Sequence, residues 1–261
     1  MADRRRINGP VGATTPPIFD KPAKPAVAKT RDSIRKIFLK TGITPSASGS
    51  AYLELENPNP KRTGNTSLKL MHRSQRGKDA VTCETRAKGI LAYTLETALR
   101  GAIIADRWPK SGVDIIVTVV EGDQDRDSPE SQKDDEGWDM MNVLSGCITV
   151  ASAAIADAGI DCVDTVAGGV AALVCKDNKT APTIVMDPVV AEHGNILAAC
   201  CVAYLPTRDE ITNMWFKGQL PGADMIVYDK LMEKSLVACR CANRVIIQEL
   251  NETVKKGQGI S

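Results

Sequence analysis

Val113-Asp114-Ile115-Ile116-Val117-Thr118-Val119-Val120 is β-branched and nearly all apolar. Beyond an acidic stretch come Met141, Leu144, Ile148, Ala151, Ser152 and Ile155, at helical spacing. The first run reads as a central strand, because a strand covered on both faces loses its polar alternation. The second reads as a helix stopped by Gly159 after Ala158, since glycine takes the left-handed backbone that ends a helix. Its alanines and serines suit close packing on a sheet.

Outward from this pair the pattern is strands, helix, strand, helix, strands, helix. Leu91, Leu95, Ala98, Leu99, Ala102 and Ile103 share one helical face, and the helix closes before Pro109, as proline requires of its predecessor. Residues 49–56, 66–72 and 81–85 read as three strands of a meander over 49–86, with Asn57-Pro58-Asn59-Pro60 as turn chemistry. On the other side, residues 163–174 and 183–186 read as paired strands around Asp177-Asn178. Residues 198–204 form an apolar strand closed by Pro206, and 211–216 a further strand before Gly218 and Pro221-Gly222. From 223 to 254 one long helix fits, with Met225, Tyr228, Met232, Cys239, Ala242, Val245 and Ile246 on one face. At 1.5 Å per residue it is roughly 45 Å long. The order specifies an α/β (α+β) fold of packed layers with a mixed sheet, not a doubly wound βαβ chain. Residues 1–32 read as a basic, Pro-rich extended arm, 33–254 as a single domain and 255–261 as a polar tail.

Composition fits this. The 261 residues are 43% hydrophobic and 25% charged, with net charge +1, which excludes collagen, coiled coil, a disulfide miniprotein and a wholly disordered chain. Aromatics are only 4%, so the core is built from Val, Ile, Leu, Ala, Met and Cys. The longest apolar runs fall short of the ~20 residues of a membrane span. Met1-Ala2-Asp3-Arg4-Arg5-Arg6 has no apolar stretch behind it, so no secretory signal is expected. Eight cysteines form no C-x-x-C pair, and only two histidines could join them. They read as small hydrophobes in a reducing compartment, cytoplasm or nucleus, with no metal and no cofactor.

The balanced total hides local charge. Residues 1–40 carry ten basic residues against three aspartates, and 61–88 eight against two acids. Residues 121–139 carry nine acids against Arg126 and Lys133. Each block reads equally simply as a solvated face, and the acidic one most of all.

No G-x-S-x-G elbow, P-loop or H-E-x-x-H occurs, and Gly168-Gly169 is a bare pair without dinucleotide-loop spacing. More informative are Trp108-Pro109-Lys110-Ser111-Gly112-Val113-Asp114-Ile115-Ile116-Val117, then Ala156-Asp157-Ala158-Gly159-Ile160-Asp161-Cys162-Val163-Asp164, and the opening Ser48-Gly49-Ser50-Ala51. Together they resemble the RNase PH family over about residues 33–254, in the manner of the ring subunits of the eukaryotic exosome. The arm, with Asp3-Arg4-Arg5-Arg6 and Gly9-Pro10, resembles that of one such fungal subunit.

The resemblance implies a split β-α-β-α fold ending in a long helix. It implies, for active members, phosphorolytic cleavage of RNA from the 3′ end. That reaction needs an Arg and hydroxyl cluster to hold phosphate, and acids to assist the leaving group. This chain departs at both places. Where active members carry a Gly-Gly-x-Arg-Thr type phosphate loop it has residues 121–139, whose negative charge repels phosphate. Where they carry E-D-x-x-x-x-x-D it has Glu192-His193 and then Ala199, with Asp187 and Glu192 remaining. The implied role is a catalytically inactive subunit of the exosome core ring, scaffolding a hexamer that channels single-stranded RNA for 3′–5′ processing and degradation, in rRNA processing and mRNA turnover.

The implied partners are other RNase PH-like ring subunits, cap RNA-binding subunits, a hydrolytic nuclease and single-stranded RNA, with no membrane. The implied locations are nucleus, including nucleolus, and cytoplasm. The expected RNA contacts are Arg73, Arg76, Lys78, Arg86 and Lys88, in and beside the loop after the second meander strand. An ordinary charged hairpin loop explains them equally well. Two alternatives stay open: an active phosphorolytic exoribonuclease, and an unrelated small-molecule α/β enzyme.

Overall fold

The computed structural model describes residues 32–56, 66–73, 89–107, 112–120, 138–175, 181–189, 196–220 and 225–257. Two four-stranded sheets form the frame. The first has the order β1 (Ile37–Thr41), β2 (Gly49–Leu55), β3 (Thr66–Arg73), β4 (Asp114–Val119). The second has the order β6 (Thr183–Met186), β5 (Ala167–Val174), β7 (Ile196–Leu205), β8 (Glu210–Gly218). Three helices accompany them: α1 (Gly89–Arg100), α2 (Trp138–Asp157) and α3 (Met225–Gly257).

The layers alternate sheet, helix, sheet, helix. α2 is buried around nearly its whole circumference, from Met141 and Leu144 to Ala154 and Ile155, because a sheet lies on each side of it. Glycines set the spacing. A Cβ on Gly49 of β2 would stand 2.4 Å from the Ala154 carbonyl of α2. One on Gly168 of β5 would stand 2.3 Å from the Ser145 carbonyl, on the same helix. One on Gly169 would stand 2.5 Å from the Ser235 carbonyl of α3. The bare Gly168-Gly169 pair is therefore a packing device, one glycine for each face of β5. The small residues of α2 also bond to the sheet: Thr149 Oγ1 accepts the Gly168 N–H (3.1 Å) and Ser152 Oγ the Val166 N–H (2.8 Å).

Several expectations need correction. Every pairing among the described strands is antiparallel, so neither sheet is mixed. β5 is unbroken apolar because helices cover both its faces, a pattern that parallel sheets usually show. The strand at 114–119, expected at the centre, has only β3 paired with it among the described residues. The meander gains a strand at 37–41, which is too short for its pattern to stand out. The strand read at 81–85 lies outside the described residues.

The buried face of α3 agrees with the expected stripe at Cys239, Ala242 and Ile246 and departs from it at the helix start. Leu231, Ser235, Ala238, Cys239, Ala242, Ile246 and Glu249 are buried, whereas Met225 is 69% exposed. The helix also runs through Gly257, into the segment read as a tail. Glu249 is buried because it accepts the Thr41 N–H (3.1 Å) and faces Lys40 Nζ (3.7 Å), tying α3 to β1. Finally, Met140–Asp157 is long and apolar enough to cross a membrane by composition, contrary to the reading of short runs only. Its place between two sheets accounts for that composition.

Candidate nucleic-acid interface

Two places decide what this chain can do: the start of α2 with the β6–β7 end of the second sheet, and the basic end of β3.

At the first, backbone and side chains converge on a cleft of about 40 Å³ lined by Arg35, Asn142, Ser145, Thr149, Gly168 and Asp187. Arg35 is 4% exposed. Its guanidinium donates from Nε to both Asp187 oxygens (3.1 and 2.9 Å) and from Nη2 to Oδ1 (2.8 Å), and its backbone N–H reaches Oδ2 (2.9 Å). Asp187 holds a left-handed backbone, φ 48°, at the end of β6, which Asp tolerates better than most residues. Asn142 Nδ2 donates to the Pro188 carbonyl, while its Oδ1 is buried without a partner. Lys217 of β8 lies 5.1 Å over the Trp138 ring at the first residue of α2.

A guanidinium held by a carboxylate through three hydrogen bonds has little left for a dianion. Ala199 sits in β7 opposite Ala172 and Lys217, 2% exposed. A methyl group there offers neither acid nor base. Glu192, His193 and residues 121–137 lie outside the described residues. Among the described residues no group of three or more His, Cys, Asp or Glu could hold a metal ion.

Four of the described cysteines are packing residues. Cys147, Cys200, Cys201 and Cys239 are buried. Burial pushes the Cys200 thiol up to about 11 from an ordinary 9.0. Burial, with Asp161 adding, does the same to Cys162, also to about 11. Burial raises Cys201 and Cys239 further, with neighbouring thiols adding. None is a thiolate nucleophile near neutrality. The linkage has a definite sign. In the unfolded chain these thiols ionise near pH 9, whereas in the fold Cys162 and Cys200 hold their protons to about 11. Between those values the unfolded state binds fewer protons, so stability falls as pH rises. The unfolding temperature is expected to fall steadily from about pH 9 upward and to be insensitive to these groups below it. A differential scanning series across that range checks this. A flat profile across it would refute the assignment.

At the second place, Arg73 is the last residue of β3, in register with Asp114 of β4. Arg76, Lys78, Arg86 and Lys88 lie outside the described residues. The buried Arg35–Asp187 pair was missed in the sequence. Its partners stand 152 positions apart, and the local sequence around neither points to the other.

Comparison with known proteins places the fold in a lineage. Residues 33–161 match the model of the 3′ exoribonuclease family, domain 1. The chain is 55% identical to Exosome complex component MTR3 of Chaetomium thermophilum, covering 97% of this chain and all of that one. The chain belongs to the RNase PH family.

Further RNase PH relatives are more distant. Exosome complex component mtr3 of Schizosaccharomyces pombe is 29% identical over 84% of this chain and 85% of its own length. Exosome complex component MTR3 of Homo sapiens is 24% identical over 83% and 84%. Among solved structures, rice (Oryza sativa) Rrp46 superposes with TM-score 0.66, at 14% identity, over 86% of this chain and 98% of that one. That match carries the fold alone, and it agrees with the RNase PH-like split β-α-β-α layers.

Proposed function

We propose that this chain is a catalytically inactive, structural ring subunit of an exosome complex. The observation that carries the reading is the 55% identity, over nearly the whole chain, to a protein named as an exosome component. Ala199 in the core of β7 and Arg35 spent on Asp187 support the absence of phosphorolysis. In this reading residues 33–254 are one domain, flanked by the arm 1–32 and the tail 255–261. Its partners are other RNase PH-like ring subunits, cap RNA-binding subunits and a hydrolytic nuclease. Single-stranded RNA passes through the ring on its way to 3′–5′ processing or degradation, in nucleus, nucleolus and cytoplasm. Arg73, Arg76, Lys78, Arg86 and Lys88 contact the RNA backbone, each releasing counterions and steepening the salt dependence of binding.

Co-expression of the tagged chain with RNase PH-like partners tests both parts. Native mass spectrometry is expected to give a hetero-oligomeric ring. The chain's own contribution to phosphate-dependent release of nucleoside diphosphates from poly(A) is expected to be nil. A stable homo-oligomer that releases nucleoside diphosphates would overturn the reading.

A further inference from the structure

A buried polar atom needs a partner, and one on α2 has none within the protein. Asn142 is 3% exposed. Its Nδ2 donates to the Pro188 carbonyl. That bond fixes the amide, because a flipped one would set oxygen against oxygen. Its Oδ1 is buried as well, and no donor reaches it. The space open to a partner is the cleft of about 40 Å³ that Asn142 itself lines with Arg35, Ser145, Thr149 and Asp187.

The donors beside the cleft point elsewhere. The Thr149 hydroxyl donates to the Ser145 carbonyl (3.0 Å). The Arg35 Nε, Nη2 and backbone N–H all go to Asp187, and each Asp187 oxygen accepts two of those bonds. Ser145, at i+3 from Asn142, shares its face of α2 and brings a half-buried hydroxyl to the lining.

The chemistry selects the occupant. It must donate a hydrogen bond to Oδ1, and a bare anion would meet that oxygen and the Asp187 carboxylate together. A cation would stand beside the Arg35 guanidinium, whose charge is permanent. A small neutral donor is left. The cleft exceeds the roughly 10–15 Å³ that one water requires, and it is polar enough to hold one.

We propose that this cleft binds one ordered water, which donates to Asn142 Oδ1 and shares a second hydrogen bond with the Ser145 hydroxyl. The site stands apart from the ring-subunit reading and does not depend on it. By satisfying Oδ1, the water keeps Asn142 seated on the Pro188 carbonyl and so ties α2 to the residue after the left-handed Asp187.

The test is a crystal structure of the full-length chain in its co-expressed ring, grown with and without inorganic phosphate. Both crystals are expected to show one rounded peak about 2.8 Å from Asn142 Oδ1, as well ordered as the main chain around it. Asn142→Leu fills similar space without an acceptor, and the peak should vanish. Ser145→Ala removes one of two bonds, so the peak should remain with a raised B-factor. If Asn142→Leu does not assemble, the parent and Ser145→Ala crystals still decide. An empty cleft, a Ser145 hydroxyl turned directly onto Oδ1, or a tetrahedral anion in the phosphate crystal would overturn the proposal. So would a peak that survives Asn142→Leu, or one equally sharp after Ser145→Ala.

Discussion

Replacing Asp187 with Asn is expected to destabilise the fold by about 3 kcal/mol, and Asp187→Ala by more, roughly 1 kcal/mol further. The reasoning begins at Arg35, which is 4% exposed and takes three side-chain hydrogen bonds from its guanidinium to that one carboxylate. Removing the carboxylate's charge strands a guanidinium that no proton loss can neutralise. A buried charge without its partner is the expensive half of a broken pair. Asparagine keeps a side-chain acceptor and tolerates φ 48°, whereas alanine loses both and adds left-handed strain. Removing both charges, as Arg35→Leu with Asp187→Asn, should recover most of the loss, because the desolvation cost of the arginine disappears with it. Denaturant midpoints of the two single variants and the double variant form the cycle that measures this. If Asp187→Asn alone costs less than about 1 kcal/mol, the pair is ornamental and the cleft is held by its apolar lining.

How much of this was legible in the sequence follows from which interactions are local. The helix at 138–157 and the strand at 114–119 were readable from periodicity, since each repeats its own pattern over a few turns or residues. The chain partners of a strand are not written in that pattern. β4 reads as central because it is apolar, yet among the described residues only β3 pairs with it, and Val119 is 39% exposed. β5 reads as a buried strand and is one, but its pairing direction depends on β6 and β7 further along the chain. For α3, Met225, Tyr228 and Met232 suggested a stripe. Its later members Cys239, Ala242 and Ile246 are buried as expected, and polar Ser235, bonded to the Cys200 carbonyl, and Asn243, accepting from the Thr165 hydroxyl, are buried with them. At the site, resemblance supplies an expectation only, an acid replaced by Ala199. The Arg35–Asp187 pair was not legible, because a lone arginine before a short strand carries no local signal of its partner.

Gly168→Ala is the second large effect, expected to cost about 3 kcal/mol and to lower soluble yield. The added Cβ would stand 2.3 Å from the Ser145 carbonyl oxygen and 2.7 Å from its Cα. Both are backbone atoms of α2, so no side chain can swing aside. Retreat of the helix as a whole is also blocked. On its far side, Gly49 already brings β2 so close that a Cβ there would meet Ala154 O and Ala158 N at 2.4 Å. Any shift of α2 also strains the bond from Gly168 N–H to Thr149 Oγ1 (3.1 Å). A close-packed interior therefore passes the misfit from one sheet to the other instead of absorbing it. Two other glycines separate this packing cost from the general cost of replacing glycine. Gly159 has φ 68° and nothing within 4 Å, so Gly159→Ala should lose only the 1–2 kcal/mol of a left-handed alanine. Gly257 ends α3 with nothing within 4 Å and an ordinary φ, so Gly257→Ala should be neutral or slightly stabilising. The expected order of melting temperatures is Gly257→Ala, then Gly159→Ala, then Gly168→Ala lowest. Should Gly168→Ala melt no lower than Gly159→Ala, α2 is not clamped between the sheets, and the spacing that brings its first turn to the Asp187 cleft is not set by these glycines.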